Sequence, residues 1–205
     1  LCTEYNLVLI EDAAESLGSY YKTRHTGLFG EIGVISFNGN KIITTGGGGM
    51  IITDDQEIAV KAKHMTTTAK VPHPWLFIHD EVGYNYRMPN INAALGCAQI
   101  EVIDDYVKRK RQLAKQYGYW FEEKGYELYK EPIDARSNYW INSVVTKSRK
   151  ERDLFLQYTN DHDVMTRPLW TPMHTLQMYE RNRRVNLGNT EWLESRLVNL
   201  PSSVV

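Results

Sequence analysis

The sequence predicts an α/β fold in its first half and a smaller α+β unit towards its end. Short apolar runs alternate with helical patterns in the first half, which is typical of a sheet covered by helices. The 205 residues, 42% hydrophobic and 24% charged, have the composition of an average globular protein. A chain of this length can bury roughly 70% of the surface that its unfolded form exposes. The composition therefore excludes wholesale disorder.

Three strands and one helix are predicted in the first half. The strand candidates are apolar and rich in β-branched residues, and the helix candidate is amphipathic. The predicted bounds are 7–10, 32–37 and 50–53 for the strands and 56–66 for the helix. The first strand should be buried, and it ends in Glu11 and Asp12, which places two carboxylates at the carboxyl end of a parallel strand. Four consecutive glycines, 46–49, precede the third strand and cannot belong to regular structure.

The longest helical pattern runs from 92 to 124, with apolar residues at steps of three and four. Its basic run at 108–111 is typical of a solvated helix face, and Gly125 is placed to end the helix. The remaining predicted elements are a strand within 139–145 and a helix over 151–161. We expect two domains, 1–110 and 111–205, linked through the long helix.

Charge and cysteine content exclude several classes of protein. The formal net charge is −1, with 24 Lys and Arg against 25 Asp and Glu, whereas nucleic-acid-binding proteins usually carry a basic excess. No apolar run approaches the roughly 18 residues that a membrane span needs. Two cysteines are too few for a disulfide framework or a Cys-rich zinc site. We expect a cytoplasmic protein that binds neither nucleic acid nor a membrane.

Several well-known motifs are missing from the sequence. No Gly-Lys-Ser or Gly-Lys-Thr follows the glycine cluster, so it is not a P-loop, and the glycines at 27, 30 and 33 lack the dinucleotide-binding spacing. The six histidines show no HExxH-type spacing, and no G-x-S-x-G elbow occurs. The sequence therefore predicts no metal site and no serine hydrolase.

Lys41 stands in an unusual place, between an apolar strand and the glycine cluster. Most lysines are solvated surface charges, but a partly desolvated lysine becomes a usable nucleophile or base. Asp12 has two interpretations as well, since it could face a ligand beyond the strand ends or cap the turn that follows. Schiff-base chemistry needs such a lysine together with a carboxylate that faces a pyridine nitrogen. The residues by themselves leave both alternatives open.

Three stretches resemble the DegT/DnrJ/StrS family of nucleotide-sugar aminotransferases, and they occur in the family's order. They are EDAAESLGS at 11–19, the stretch 30–49 containing SFNGNK, and GYNYRM at 83–88 with the residues that follow it. The resemblance implies pyridoxal 5′-phosphate as cofactor and the aspartate aminotransferase-like fold type I. It also implies that the chain is the later part of the large domain plus a small α+β C-terminal domain. The family's N-terminal part, with a phosphate-binding turn and a ring-stacking aromatic, is expected to be missing.

The resemblance assigns roles residue by residue. Lys41 matches the lysine that forms the Schiff base and shuttles a proton, and Asp12 matches the aspartate that pairs with the pyridine nitrogen. Glu15 falls close to the cofactor ring, where many members carry Gln or His. Ser36 matches a phosphate-binding serine. Asn85 matches an asparagine that reaches the phosphate of the neighbouring subunit's cofactor, which implies a homodimer with shared sites.

The acidic residue at position 15 and the stretches 138–140 and 166–174 resemble those of one subgroup of the family. This subgroup makes bacillosamine- and legionaminic-type amino sugars from UDP-sugars. On this basis Trp170 and His174 are expected near the sugar-nucleotide site, the alternatives being a packed Trp170 and a surface His174. The implied reaction transfers an amino group from L-glutamate to a nucleotide-linked 4-keto-6-deoxy sugar for bacterial surface glycans. Two alternatives stay open: a sugar dehydratase, although such relatives carry histidine in place of the lysine at 41, and a catalytically silent dimerisation or binding fragment.

Overall fold

The structure is a computed structural model that describes residues 1–204. The chain forms two compact units. The first comprises Leu1–Lys108 and Pro132–Trp140, and the second comprises Arg109–Glu131 and the residues from Ile141 onward. The division into domains at residue 110 stays a prediction. None of the described helices is long and apolar enough to cross a membrane.

The elements follow one another in mixed α/β order. The helices are α1 (Gln56–Thr66), α2 (Asn90–Ile100), α3 (Ile103–Glu123), α4 (Arg149–Asp161) and α5 (Gly188–Glu194), with short 3₁₀ turns at Met173–Thr175 and Gln177–Tyr179. The first seven strands are β1 (Ile10–Asp12), β2 (Tyr20–Tyr21), β3 (Arg24–His25), β4 (Ile32–Ser36), β5 (Gly49–Ile52), β6 (Lys70–Val71) and β7 (Ile78–His79). The other five are β8 (Glu127–Leu128), β9 (Ala135–Arg136), β10 (Asn142–Val145), β11 (Arg167–Pro168) and β12 (Leu197–Leu200).

The central sheet of the first unit has the order β1-β4-β5. Strands β1 and β4 are parallel, with Asp12 opposite Val34, and β5 runs antiparallel to β4. The core beside this sheet consists of Ala13, Ile35, Phe37 and Ile43. Because β1 and β4 are parallel, the segments that follow Asp12 and Ser36 leave the sheet at the same edge. The predicted strands at 32–37 and 50–53 and the helix at 56–66 are confirmed.

The prediction of a buried strand at 7–10 is wrong. Strand β1 begins only at Ile10, and the side chains of Leu7, Val8 and Ile10 are 61%, 63% and 60% exposed. Among the described residues β1 pairs with β4 alone, so its outer edge and the apolar segment before it are left uncovered. An apolar run predicts a strand that can be buried, but burial also requires a neighbour.

The single helix predicted over 92–124 is two helices, α2 and α3. The break lies at Glu101 and Val102, where the Val102 carbonyl accepts hydrogen bonds from the Asp105 and Tyr106 N–H groups and so begins α3. No glycine or proline marks this break in the sequence. The local signal is the acidic pair Asp104 and Asp105 in the first turn of α3, which favours a helix N-terminus there.

The interpretation of 108–111 as a solvated helix face is wrong for two residues of the second unit. Lys110 is 7% exposed and donates to the Ser202 carbonyl at 2.7 Å. Burial lowers the pKa of Lys110. Arg111 makes two 2.8 Å hydrogen bonds to the carboxylate of Glu131. These hydrogen bonds hold Ser202 and Glu131 against α3.

The second unit is built on a sheet of order β11-β12-β10-β8. Its core contains Phe121 of α3, Leu128, Val144 and the β12 residues Val198 and Leu200, with Phe155 and Leu156 of α4 packed against it. The helix predicted at 151–161 is confirmed within α4. The strand predicted within 139–145 is shorter, because Tyr139 has a φ of +47°, which is left-handed backbone and incompatible with a strand.

A cluster of hydrogen bonds holds the start of α4. The Ser148 hydroxyl accepts from the Glu151 N–H at 3.2 Å, and the Glu151 carboxylate accepts from the Lys147 N–H at 2.6 Å, an arrangement close to a capping box. The Tyr126 hydroxyl donates to the same carboxylate at 2.7 Å. The hydrogen bond from Tyr126 is the main cause of the lowered pKa of Glu151.

We expect Glu151→Gln to lower the free energy of unfolding by about 1 kcal/mol near neutral pH, since a charged acceptor of two hydrogen bonds is lost. Because the folded-state pKa of Glu151 is lowered, its contribution is present above the unfolded pKa of about 4.3 and is lost as the pH falls through the folded value. Urea unfolding at a series of pH values should show the two proteins converging in acid. The matched control is Glu123→Gln, an exposed residue of α3, and a difference that persists in acid would contradict the assignment.

Candidate active site

Lys41 lies in a short loop that follows β4 and is closed by backbone hydrogen bonds. Its N–H donates to the Asn38 carbonyl at 3.0 Å, and the Asn38 N–H donates to the Ser36 hydroxyl at 3.2 Å. Phe37, before the loop, is bonded through its carbonyl to the Thr45 N–H at 3.1 Å. These bonds hold Lys41 beside the carboxyl edge of the sheet.

The side-chain amine of Lys41 is enclosed by two groups from elsewhere in the first unit. Its Nζ lies 3.0 Å from Glu15 Oε1, and the Lys41 side chain is 12% exposed. The same Nζ lies over the ring of Trp140, 4.3 Å from the ring centroid. Lys41 is therefore not a solvated surface charge. A carboxylate and an aromatic face together hold the amine in one place.

Trp140 is placed by Asn138, which is 3% exposed. The Asn138 Oδ1 accepts from the Trp140 N–H at 2.8 Å, and its Nδ2 donates to the carbonyls of Glu15 and Leu17, each at 2.9 Å. The Asn138 N–H in turn donates to the Ser19 hydroxyl at 2.9 Å. A single buried amide thus connects the segment after β9 to the loop after β1.

Asp12 and Ser36 lie at the ends of the parallel strands β1 and β4. Asp12 is exposed, and its Oδ1 accepts from the Ala14 N–H at 3.1 Å. This bond closes a turn, and in the described chain no helix directly follows Asp12 that it could cap. Ser36 is half-buried and accepts from Asn38. The structure thus places both residues at the sheet edge that also carries the Lys41 loop.

The glycine cluster forms a loop that α2 holds in place. Gly46 and Gly48 have φ values of +82° and +97°, which favour glycine. The Thr45 carbonyl accepts a hydrogen bond from the Asn92 side chain, and the Thr44 N–H donates to Gln99 Oε1 at 2.9 Å. Both α2 residues belong to the third of the three stretches, so the second and third stretches are in contact in the structure.

Asn85 lies in a different loop from these residues. It forms a backbone bridge with Thr67, and the neighbouring Tyr84 and Tyr86 N–H groups donate to the Met65 and Thr66 carbonyls at 2.7 and 3.0 Å. The Asn85 side chain is exposed. Among the described residues, the side chains of Glu15 and Trp140 contact the Lys41 amine. The structure does not bring Asn85 together with them.

The sequence matches the DegT/DnrJ/EryC1/StrS aminotransferase family over residues 1–204. The chain belongs to this family. The resemblance drawn from the three stretches is confirmed, and so is the fold class, because solved aminotransferases superpose on this chain. Enzymes of this family depend on pyridoxal 5′-phosphate.

Three relatives show what the chain is similar to. It is 40% identical over 202 residues to GDP-perosamine synthase of Escherichia coli O157:H7, with 98% of this chain and 55% of that protein aligned. The aminotransferase TlmJ of Streptoalloteichus hindustanus has a TM-score of 0.91 at 26% identity, covering 98% of this chain and 55% of TlmJ. DesI, solved with its TDP-sugar product, has a TM-score of 0.86 at 25% identity, covering 98% and 52%. The chain spans about half the length of the relatives it matches.

The residues present fit the cofactor of the DegT/DnrJ/EryC1/StrS family. Lys41 offers a shielded amine for an aldehyde, and Asp12 offers a carboxylate at a strand end for a pyridine nitrogen. Ser36 offers a hydroxyl for a phosphate oxygen. In the second unit His174 and Trp170 are the residues expected near the substrate.

His174 is enclosed by the second unit, so the alternative of a surface histidine is wrong. Its side chain is 12% exposed, and Nε2 lies 3.0 Å from Glu191 Oε1. His174, Arg183 and Arg184 line a cavity of 1030 Å³. Trp170 is 63% exposed and so is not a packed core residue, and it is not among the residues that line this cavity.

A trio that the sequence did not single out is His64, Asp80 and Glu81, whose potential ligand atoms lie within 4.8 Å of one another. His64 Nε2 is 2.7 Å from Asp80 Oδ1, and the hydrogen bond from His64 lowers the pKa of Asp80. Lys61 Nζ lies 2.6 and 2.5 Å from the two oxygens of Glu81. These ion pairs join α1 to the loop that leads to Asn85.

Glu11 is a second residue that sequence reasoning missed. Its carboxylate accepts from the backbone N–H groups of Gly27, Phe29 and Gly30 at 2.8, 2.5 and 2.6 Å. These contacts bind the turn before β4 to β1. The pattern of an acidic residue at a strand end was visible in the sequence, but it gave no means of distinguishing Glu11, which holds the turn, from its neighbour Asp12.

We expect Glu11→Gln to lower the free energy of unfolding by about 2 kcal/mol, because a charged acceptor is lost and an amide N–H₂ group then faces a backbone donor. Urea unfolding monitored by circular dichroism measures the change. Glu31→Gln is the matched control, since Glu31 is exposed and lies in the same turn. Equal stability of the two variants would contradict a structural role for Glu11.

Proposed function

We propose that this chain carries the reactive lysine of a pyridoxal-phosphate-dependent aminotransferase that aminates a nucleotide-linked 4-keto-6-deoxy sugar. The observation that carries the proposal is the Lys41 amine, shielded between Glu15 and Trp140 at the carboxyl edge of the sheet. Two relatives support the substrate class, since GDP-perosamine synthase is named for a GDP-linked sugar and DesI was solved with its TDP-sugar product. L-Glutamate is the proposed amino donor, from the family resemblance.

Bound pyridoxal phosphate supplies an aldehyde carbon that exchanges amines and a ring that accepts electrons. Lys41 is the amine that attaches it, Asp12 is the carboxylate for the ring nitrogen, and Ser36 is a hydroxyl for the phosphate. Glu15 holds Lys41 Nζ at 3.0 Å and thereby keeps the amine at this edge of the sheet. An attached base at a fixed position reacts much faster than one in free solution.

Lys41 Nζ is also the proposed proton carrier. In the first half-reaction it takes the proton from the α-carbon of L-glutamate, and the amino group passes to the cofactor. Water supplies the new ketone oxygen, and the carbon skeleton leaves as 2-oxoglutarate. In the second half-reaction the amino group replaces the ketone oxygen at C4 of the sugar, and water is released. Each half-reaction needs one group that accepts a proton and returns it, which a lysine held beside the reacting carbon can do.

The second unit is proposed to contribute to substrate binding through the cavity beside His174. Arg183 and Arg184 line it, and guanidinium groups suit a diphosphate because they donate paired hydrogen bonds to its oxygens. Trp170 is proposed to contact the same substrate. Asn85 is proposed to act on the cofactor of a second subunit in a homodimer, in keeping with its exposure. We place the enzyme in the cytoplasm.

Two observations favour different nucleotides in the substrate. The acidic Glu15 resembles the subgroup that uses UDP-sugars, whereas the relative at 40% identity is a GDP-perosamine synthase. The dehydratase alternative loses support because the chain has lysine at position 41 and is similar to an aminotransferase and to a perosamine synthase. A silent fragment would lack any cofactor chemistry at Lys41, which can be tested directly.

We expect the purified chain, incubated with pyridoxal phosphate and reduced with borohydride, to carry the label on the peptide containing Lys41. Mass spectrometry of the digest measures the labelled fraction. Lys41→Ala should abolish this label, whereas Lys150→Ala, an exposed lysine of α4, should leave it unchanged. Label spread evenly over surface lysines, with none preferred at 41, would support the silent fragment.

We expect L-glutamate to convert the visible absorbance of the loaded protein to the near-ultraviolet band of the aminated cofactor, with one 2-oxoglutarate formed per site. Adding GDP-, UDP- and TDP-linked 4-keto-6-deoxy sugars separately should then restore the visible band for the true substrate. Chromatography of the amino-sugar product identifies it. A spectral change that Lys41→Ala retains would refute the role of Lys41.

A further inference from the structure

Trp140 contacts two consecutive residues of the Lys41 loop. Its ring face lies 4.3 Å from Lys41 Nζ, and its indole Nε1 donates to the Asn40 carbonyl at 2.5 Å. The hydrogen bond fixes the edge of the indole on the backbone of the loop, so the ring face stays against the amine. An aromatic face attracts a cation and also excludes water from that side of it.

Asn138 fixes both neighbours of the amine. It accepts from the Trp140 N–H through Oδ1 and donates to the Glu15 carbonyl through Nδ2. Glu15 contacts Lys41 Nζ by its carboxylate, and Trp140 contacts it by its ring. The backbones of both residues are therefore held by one side chain that is 3% exposed.

The backbone between Asn138 and Trp140 is strained. Tyr139 has a φ of +47°, a left-handed conformation that bulky L-residues rarely adopt. Such strain persists only where the surrounding structure holds the segment on both sides. Here the Asn138 hydrogen bonds hold one side and the contacts of Trp140 hold the other.

We propose that Trp140 is a positioning residue for Lys41 and that Asn138 is the anchor that places it. The proposal rests on the proposed function, since it concerns the amine that takes up the cofactor. A lysine side chain has four rotatable bonds and many conformations in water. The ring of Trp140 removes those in which Nζ turns away from Glu15 into solvent. Trp140 should therefore lower the general accessibility of the amine and raise its reaction with an aldehyde bound at the sheet edge.

Trp140 should thus lower one property of the Lys41 amine, its general accessibility, and raise the other, its reaction with a bound aldehyde. Two reactions of the purified chain measure these two properties. The first is the borohydride-reduced attachment of pyridoxal phosphate at Lys41. The second is acetylation of Lys41 by acetic anhydride without cofactor, with Lys150 in the same sample as the reference. In Trp140→Leu we expect the attachment to fall about tenfold while acetylation relative to Lys150 rises.

Three further variants make the outcome decisive. Trp140→Phe keeps an aromatic face but loses the hydrogen bond to Asn40, so its attachment should lie between that of the parent chain and that of Trp140→Leu. Asn138→Asp keeps the acceptor for Trp140 and loses the donors to Glu15 and Leu17, so it should change both reactions as Trp140→Leu does. Trp192→Leu removes a tryptophan that lies 4.8 Å from the Arg196 guanidinium in the second unit, and it should change neither reaction.

Parent-like behaviour of Trp140→Leu in both reactions would overturn the proposal, and so would a Trp140→Phe variant as defective as Trp140→Leu. If Asn138→Asp leaves both reactions unchanged, the anchoring role of Asn138 is refuted. If Trp140→Leu does not fold, the result for Asn138→Asp tests the proposal in its place. Failure of the proposed function gives a different result, because the parent chain would then take no cofactor at Lys41. The acetylation experiment would still report in that case whether Trp140 shields the amine.

Discussion

The carboxamide of Asn138 is the interaction on which the surroundings of Lys41 depend. It is buried and uses its oxygen and its nitrogen in three hydrogen bonds to the backbone of Trp140, Glu15 and Leu17. A buried amide that loses such partners leaves polar groups unsatisfied, which costs about 1–3 kcal/mol for each. The loop after β1 and the segment after β9 are therefore fixed together, and with them the two groups that contact the Lys41 amine.

The parallel pairing of β1 with β4 is the second constraint on this site. It brings the segments that follow both strands to one edge of the sheet, where Asp12, Glu15 and Lys41 come into the same region. Glu11 strengthens the pairing from one side, because its carboxylate holds three backbone N–H groups of the turn that leads into β4. A rigid sheet edge with hydrogen-bonded loops is a suitable support for a reactive lysine, since small displacements of a catalytic group are costly.

Local features of the sequence were enough to predict a large part of the molecule. The strands at 32–37 and 50–53 are predicted from apolar, β-branched runs and the helix at 56–66 from its amphipathic pattern. The structure contains all three, and it contains the helix predicted at 151–161. The three stretches identified the family because their residue types and order are specific to it. Lys41 stood out through its position between an apolar strand and a glycine cluster.

The sequence by itself thus determined the α/β class, the family and the position of the lysine, all of which depend on residues close together along the chain. Only the tertiary structure decided that residues 7–10 are exposed, that a helix ends at Glu101, and that Lys110 is buried. It also decided that Trp140 covers Lys41. The physical reason is that periodicity reports which face of an element can be buried, whereas the group that covers it comes from a distant part of the chain and leaves no local pattern.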